Sequence, residues 1–261
     1  MPEGNVLVSV DSKGVAKVTL NRPEVHNAFD DETIERLTRE LRTLGEDEDV
    51  RVVILAARGE SFCAGADLKW MKRTSEFSEA ENLQDASALA ELLLVLDTLS
   101  KTTIALIQGP AYAGGVGLIC ACDIAIAARS ARFSLTEVKL GLIPAVISPF
   151  VISTIGESYS RRYFLTGERI SSTDAERIGL VHEVVPDEAL TVRGDTFVKL
   201  LLQGGPTAQA EAKALIKDVR GHSLEGELLV DLAKRIARIR VSDEAQEGMS
   251  AFLDKRKPSW I

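Results

Sequence analysis

A chain of 261 residues, 45% hydrophobic and 27% charged, has the composition of a globular protein able to bury a sizeable core. Its 31 Lys and Arg against 39 Asp and Glu leave a net charge of −8. That argues against general binding to nucleic acid or anionic lipid, because such affinity comes from neutralising phosphates. The opening MPEGNVLVSVDSKG lacks the charged and long apolar regions of a secretory signal, and no run of about 18 apolar residues follows. The expectation is a cytoplasmic protein with no membrane span. Cys63, Cys120 and Cys122 have no disulfide-framework spacing, and the C-x-C pair is too sparse for a zinc site, so buried free thiols are expected.

Residues 6–10 and 15–20 alternate apolar and polar around Asp11-Ser12-Lys13-Gly14, which predicts a hairpin. Asn21-Arg22-Pro23 breaks the second strand. Asp30 reads as the N-cap of a helix bearing Ile34, Leu37, Leu41 and Leu44 on one face and stopping at Gly45. Val50 to Ala56 is a continuous apolar run, as in a strand buried on both faces. Ile104–Ile107, Ile124–Ala127, Phe133–Leu135 and Val181–Val185 predict further strands, with Gly109 to Gly117 turning into a short helix. Thr173-x-x-Glu176 is a capping-box candidate. From Pro206 onward only helical patterns remain. The fold class is therefore α/β with crossover helices, divided into a core over residues 1–200 and a helical region over 201–261.

Three glycine-rich clusters stand out: Ser61 to Leu68, Ala113 to Gly117, and Gly141 to Pro144. The first two follow predicted buried strands. Small residues let a ligand approach backbone closely, and a helix start leaves N–H groups unpaired. Two such amides aimed at one point form an oxyanion hole. Each cluster taken alone is equally well a tight strand-to-helix turn. Neither a P-loop nor a dinucleotide fingerprint is present.

The strings LNRPEVHNAF, SFCAGADL, QGPAYAGGVGL, CDIAIAA, FSLTEVKLGLIP and AFLDKRKP occur in this order at spacings that resemble the enoyl-CoA hydratase/isomerase (crotonase) superfamily over essentially the whole chain. The resemblance implies a spiral of strand-strand-helix units with a C-terminal α-helical trimerisation region. It also implies trimers, often paired into hexamers, and an acyl-CoA thioester substrate with no other cofactor and no metal. By the same resemblance the amides of Ala64 and Gly114 would bind the thioester oxygen. Gly65, Ala66, Asp67 and Leu68 would wrap the CoA, and His26, Asn27 and Ala28 would line its channel. Phe252 and Lys255 resemble C-terminal CoA contacts that some members supply from a neighbouring subunit.

Hydratases of this superfamily carry two glutamates. Counted from Cys122-Asp123, the first falls on Gly117, which has no side chain, and the second on Glu137. Paired amides stabilise the enolate, and a positioned carboxylate moves the proton. Burial of Glu137 against Leu140 and Leu142 would raise its pKa. Ser148 is expected to cap the helix that follows, with holding a water or a polar acyl group as the alternative, and Tyr112 either lines the acyl pocket or packs structurally. The strings at 112–118 and 135–149, taken together, resemble bacterial hydratases of branched or carboxylated substrates such as 3-methylglutaconyl-CoA, acting in leucine and acyclic-terpene breakdown. Two alternatives stay open: an enoyl-CoA isomerase that shuttles one proton through Glu137, and a non-catalytic CoA- or RNA-binding member.

Overall fold

The computed structural model describes residues 4–223 and 225–261. Strands β1 (Val6–Val10) and β2 (Val15–Leu20) form the expected hairpin. The Asp11 carboxylate accepts from the amides of Lys13 and Val15, and Gly14 supplies the left-handed residue at φ 75°. Helix α1 (Asp31–Glu46) starts under Asp30, whose Oδ1 accepts from the N–H and hydroxyl of Thr33. Its buried face carries Ile34, Leu37, Leu41 and Leu44. It does not stop at Gly45. A side chain there would lie 2.9 Å from Leu99 Cδ1, so this glycine marks close helix packing rather than a helix end.

The chain continues as β3 (Val52–Ala57), α2 (Leu68–Thr74), α3 (Glu79–Thr98), β4 (Thr102–Ile107), β5 (Ala111–Tyr112), α4 (Gly114–Cys120), β6 (Ile124–Ala128) and β7 (Arg132–Ser134). Next come α5 (Ser148–Thr166), β8 (Ile170–Ser171), α6 (Ser172–Arg177), β9 (Glu183–Val185) and α7 (Leu190–Leu201). Helices α8 (Pro206–Val219), α9 (Gly226–Arg240) and α10 (Asp243–Leu253) complete it. Helix α3, 20 residues long, escapes the periodicity reading; its start is the capping box Ser78/Glu81. The box expected at Thr173/Glu176 is absent. Ser171 caps α6 by accepting from the Asp174 amide, which places Thr173 inside the helix.

Six strands lie in the order β1-β2-β3-β4-β6-β9, parallel except for the β1–β2 hairpin, and β5-β7-β8 form a small second sheet. The run at 52–57 is buried on both faces, with its alternate residues feeding two cores. Val53 and Leu55 join the large cluster containing Leu37, Leu93 and Ile147, whereas Val52, Ile54 and Ala56 pack with Leu190 and Val198 of α7. Helix α9 buries none of its own residues within the chain.

Leu37 is fully buried. Leu37→Ala should cost about 3 kcal/mol in a urea unfolding curve; a cost under about 1 kcal/mol would mean that α1 does not seal the core.

Candidate active site

Three short parallel stretches set the site. Cys63 bridges Ala111, with its amide donating to Pro110 O at 3.2 Å and its carbonyl accepting from Tyr112 N at 2.9 Å. Ala111 and Tyr112 then pair with Phe133 and Ser134. Because all three run the same way, they leave the ladder at one end. Three residues beyond Cys63 and Ala111 stand Ala66 and Gly114, and four beyond Phe133, the residue paired with Ala111, stands Glu137.

The amides of this rim differ from the expectation at one position. The Ala64 N–H is already committed to His26 O at 3.0 Å, so it is not free for a thioester oxygen. The unpaired amide of this loop belongs to Ala66. Phe29 bridges Ala66 in parallel, donating to Gly65 O at 2.6 Å and accepting from Asp67 N at 2.7 Å. In such a ladder the bridged residue's own N–H points to the opposite side, and that of Ala66 meets no acceptor among the described residues. The Gly114 N–H opens α4 and is likewise unpaired among the described residues. The Ala113 carbonyl takes the amides of Val116 and Gly117, and the Ala113 N–H holds Ser134 O at 2.9 Å. Gly65, at φ 89°, brings its loop against the Tyr112 carbonyl and Ala113, so the two unpaired donors sit on touching loops.

Glu137 begins a 3₁₀ turn that closes at Gly141 (φ 74°), and its carbonyl accepts from Leu142 N at 3.0 Å. Its Oε2 is buried with no hydrogen-bond partner. Desolvation pushes the carboxyl above the usual glutamate range, against a weaker opposing hydrogen bond from its own backbone N–H. Leu140 and Leu142, the expected shelter, are themselves 60% and 56% exposed. Gly117 lies inside α4, and a β-carbon there would meet Ile147 Cγ2 at 2.5 Å. Ser148 is the first residue of α5 and not its cap; its hydroxyl donates back to Ala145 O at 2.8 Å. Tyr112 is half-buried beside Gly65.

The expected CoA-channel residues divide by what their polar groups already do. His26 (φ 54°) is exposed, with Nδ1 3.0 Å from Ser61 Oγ. Asn27 is buried, accepting from Arg22 N and donating to Arg58 O and Ser61 O, so its amide latches two loops together and is not offered to a ligand. Ala28 is buried, and its carbonyl accepts from Arg22 Nη1 at 2.7 Å. Asp67 caps α2 through the amides of Lys69 and Trp70 and pairs with Arg22 at 3.0 Å. Burial opposes its ionisation, but those two amides and the guanidinium outweigh it and hold the carboxyl below the usual range. Leu68 is 81% exposed at the start of α2. Helix α10 packs on α8 and α9, where Phe252 is 83% exposed; no hydrogen bond or ion pair among the described residues ties Phe252 or Lys255 to residues 26–28 or 64–68.

Arg22 is the residue the sequence reading missed. It also pairs with Asp30 at 2.9 Å, so one guanidinium gathers Asp30, Asp67 and the Ala28 carbonyl. Only the Asn-Arg-Pro string hinted at it, and no spacing rule links it to a carboxylate 45 positions away. The three cysteines are free, and burial raises the thiol pKa of Cys63 and Cys120 to about 12. No cluster of three metal-ligating side chains and no helix apolar enough to cross a membrane occurs among the described residues.

Asp67→Asn removes one partner of a buried pair and should cost about 3 kcal/mol at neutral pH. Because the folded carboxyl titrates below the ordinary value of 3.8, the deficit should be full above that value and shrink as pH falls through the folded one. Denaturation at pH 7 and pH 3 checks both; an equal deficit at the two pH values would count against the pairing.

The enoyl-CoA hydratase/isomerase family model matches residues 11–261. Among sequence relatives, the enoyl-CoA hydratase AFT6-1 of Alternaria alternata is 34% identical over 259 residues, covering 98% of this chain and 84% of that protein. The (E)-benzylidenesuccinyl-CoA hydratase of Thauera aromatica is 34% identical over 255 residues, covering 95% and 96%. Among solved structures, an enoyl-CoA hydratase from Shewanella pealeana superposes with TM-score 0.96 at 41% identity over 98% of this chain and 96% of that one. AtuE of Pseudomonas aeruginosa superposes with TM-score 0.94 at 36% identity, covering 98% and 99%. With the family model spanning nearly the whole chain and the crotonase fold reproduced at this level, the chain belongs to the enoyl-CoA hydratase/isomerase family.

Proposed function

We propose that the protein hydrates a 2-enoyl-CoA thioester, with the amides of Ala66 and Gly114 on the thioester oxygen and Glu137 as the acid/base. The buried, partnerless Oε2 of Glu137 carries this reading: a carboxylate oxygen that is out of water and has no protein donor of its own is suited to exchange protons with a ligand. In the reaction Glu137 takes a proton from water as the oxygen adds to C3, and the two amides hold the enolate charge on oxygen. The same carboxyl then delivers that proton to C2, so the C2=C3 double bond takes up one whole water and Glu137 is regenerated. Coenzyme A enters as part of the substrate, and the chemistry needs no further cofactor. A branched or carboxylated acyl group such as 3-methylglutaconyl is the proposed specificity, in keeping with a relative named for a succinyl-type thioester. A homotrimer, or two trimers paired, is the proposed assembly, supported by the absence of buried residues on α9 and by Phe252 and Leu253 at 83% and 78% exposure.

A second reading, isomerisation of a 3-enoyl-CoA, is favoured by the lack of a side chain at Gly117, since a proton shuttle needs one carboxylate and no activated water. Following the conjugated-thioester absorbance with crotonyl-, 3-methylglutaconyl- and 3-enoyl-CoA in ¹⁸O-water separates the two. Turnover of the 3-enoyl substrate alone, without ¹⁸O in the product, would sink hydration.

Glu137→Gln should lower kcat/KM by about 10²–10⁴-fold; retention within about tenfold would remove Glu137 from the chemistry. The acid limb of the wild-type pH profile should lie above 4.5, because the basic form is lost as pH falls through a raised pKa. The same shift sets a sign for stability. A carboxyl with a raised folded pKa favours the fold below its unfolded value, and that contribution disappears as pH rises through the folded one. Glu137→Gln should therefore raise Tm relative to wild type at pH 8, with the gap closing toward pH 4.5.

A further inference from the structure

Gly117 is more than a missing side chain. It lies in the middle of α4, three residues after the unpaired Gly114 amide, and is itself buried. A β-carbon built there would stand 2.5 Å from Ile147 Cγ2, 3.1 Å from Ile147 Cβ and 3.3 Å from Leu93 Cδ1. The first distance is far inside van der Waals contact. Ile147 cannot readily withdraw. It is 3% exposed, it is β-branched and so stiff about χ1, and its carbonyl is tied to the Val151 amide at 3.1 Å as α5 begins. Leu93 on α3 is fully buried behind it. All three of these nearest atoms are aliphatic carbons, and a charge buried among such groups without a hydrogen-bond partner is costly.

Ile147 also belongs to the segment that starts with Glu137. The Leu142 amide returns to the Glu137 carbonyl, and the Ser148 amide to that of Ala145, so the loop carrying the acid/base ends by inserting Ile147 against α4. We propose that Ile147 and Gly117 form an interlocked pair in which the Ile147 methyl occupies the place of a second carboxylate. Ile147 is thereby a determinant of the mode of catalysis, assigning the entire proton transfer to Glu137. This rests on the reading of Glu137 given above, but the interlock itself is tested without it.

Thermal unfolding of wild type, G117A, I147A and G117A/I147A is that test. With Ile147 present, G117A should lower Tm by about 5 °C or more, or prevent folding. With I147A, the same change should lose less than half as much or raise Tm, since alanine is the better helix former once the space is open. No loss in the wild-type background, a loss not halved by I147A, or a double variant that fails to fold would each overturn the interlock. Turnover supplies a second arm. The pH profile of kcat/KM for crotonyl-CoA should show a second ionisation in G117E/I147A that wild type lacks; a single limb, or no turnover in the folded variant, would overturn the assignment of that space to a carboxylate. Full activity of E137Q would instead defeat the reading of Glu137 and leave the Tm comparison standing.

Discussion

The site depends on a parallel ladder only a few residues wide. Cys63, Ala111–Tyr112 and Phe133–Ser134 are held side by side by backbone hydrogen bonds. Parallel pairing makes their continuations leave in one direction. The groups with chemical potential then appear within three or four residues of one rung: the Ala66 and Gly114 amides three past Cys63 and Ala111, and the Glu137 carboxyl four past Phe133. Shifting any one stretch by a residue would turn a donor into the core. The long sheet and its two apolar clusters serve this arrangement by fixing where β3, β4 and β6 end.

Around that ladder, charge is used mainly to hold loops. Arg22 joins the chain at Asp30, Asp67 and Ala28, and Asn27 ties residue 22 to residues 58 and 61. These contacts satisfy polar groups that would otherwise be buried unpaired, a condition costing on the order of 1–3 kcal/mol per group. Glu137 is treated differently. Its Oε2 has no partner, which stabilises neither the carboxylate nor the fold and leaves the atom available to a ligand.

Much of this was legible in the chain before any coordinates. The hairpin, the Asp30 cap, the buried run read at 50–56 and found as a strand at 52–57, and the strands at 104–107 and 124–127 follow from alternation, capping chemistry and apolar runs. Glu137 and Gly117 were located by motif. The errors share a cause, which is that sequence spacing does not reveal which partner a group will find. Ala64 and Ala66 are both small residues beside Gly65, and only the pairing with His26 and Phe29 shows whose amide remains free. Gly45 looked like a terminator and proved to be a contact with Leu99. Helix α3 presents its 20 residues without a clear apolar stripe, and its Ser78/Glu81 capping box went unread in the sequence. Leu140 and Leu142 were expected to shelter Glu137, yet the tight turn closing at Gly141 carries them outward.

Ala113 stands at φ 48°, ψ −117°, a backbone conformation that a residue with a β-carbon adopts only under constraint. Glycine would occupy it more comfortably. The constraint comes from both sides: its N–H is held by the Ser134 carbonyl, and its own carbonyl by the amides of Val116 and Gly117 in α4. The peptide that follows bears the Gly114 N–H, so its direction is fixed by bonds that the chain makes with itself. Some folding energy is thus retained as stored alignment. An oxygen acquiring negative charge there meets a dipole that does not have to turn, and the cost of aiming it was met when the chain folded.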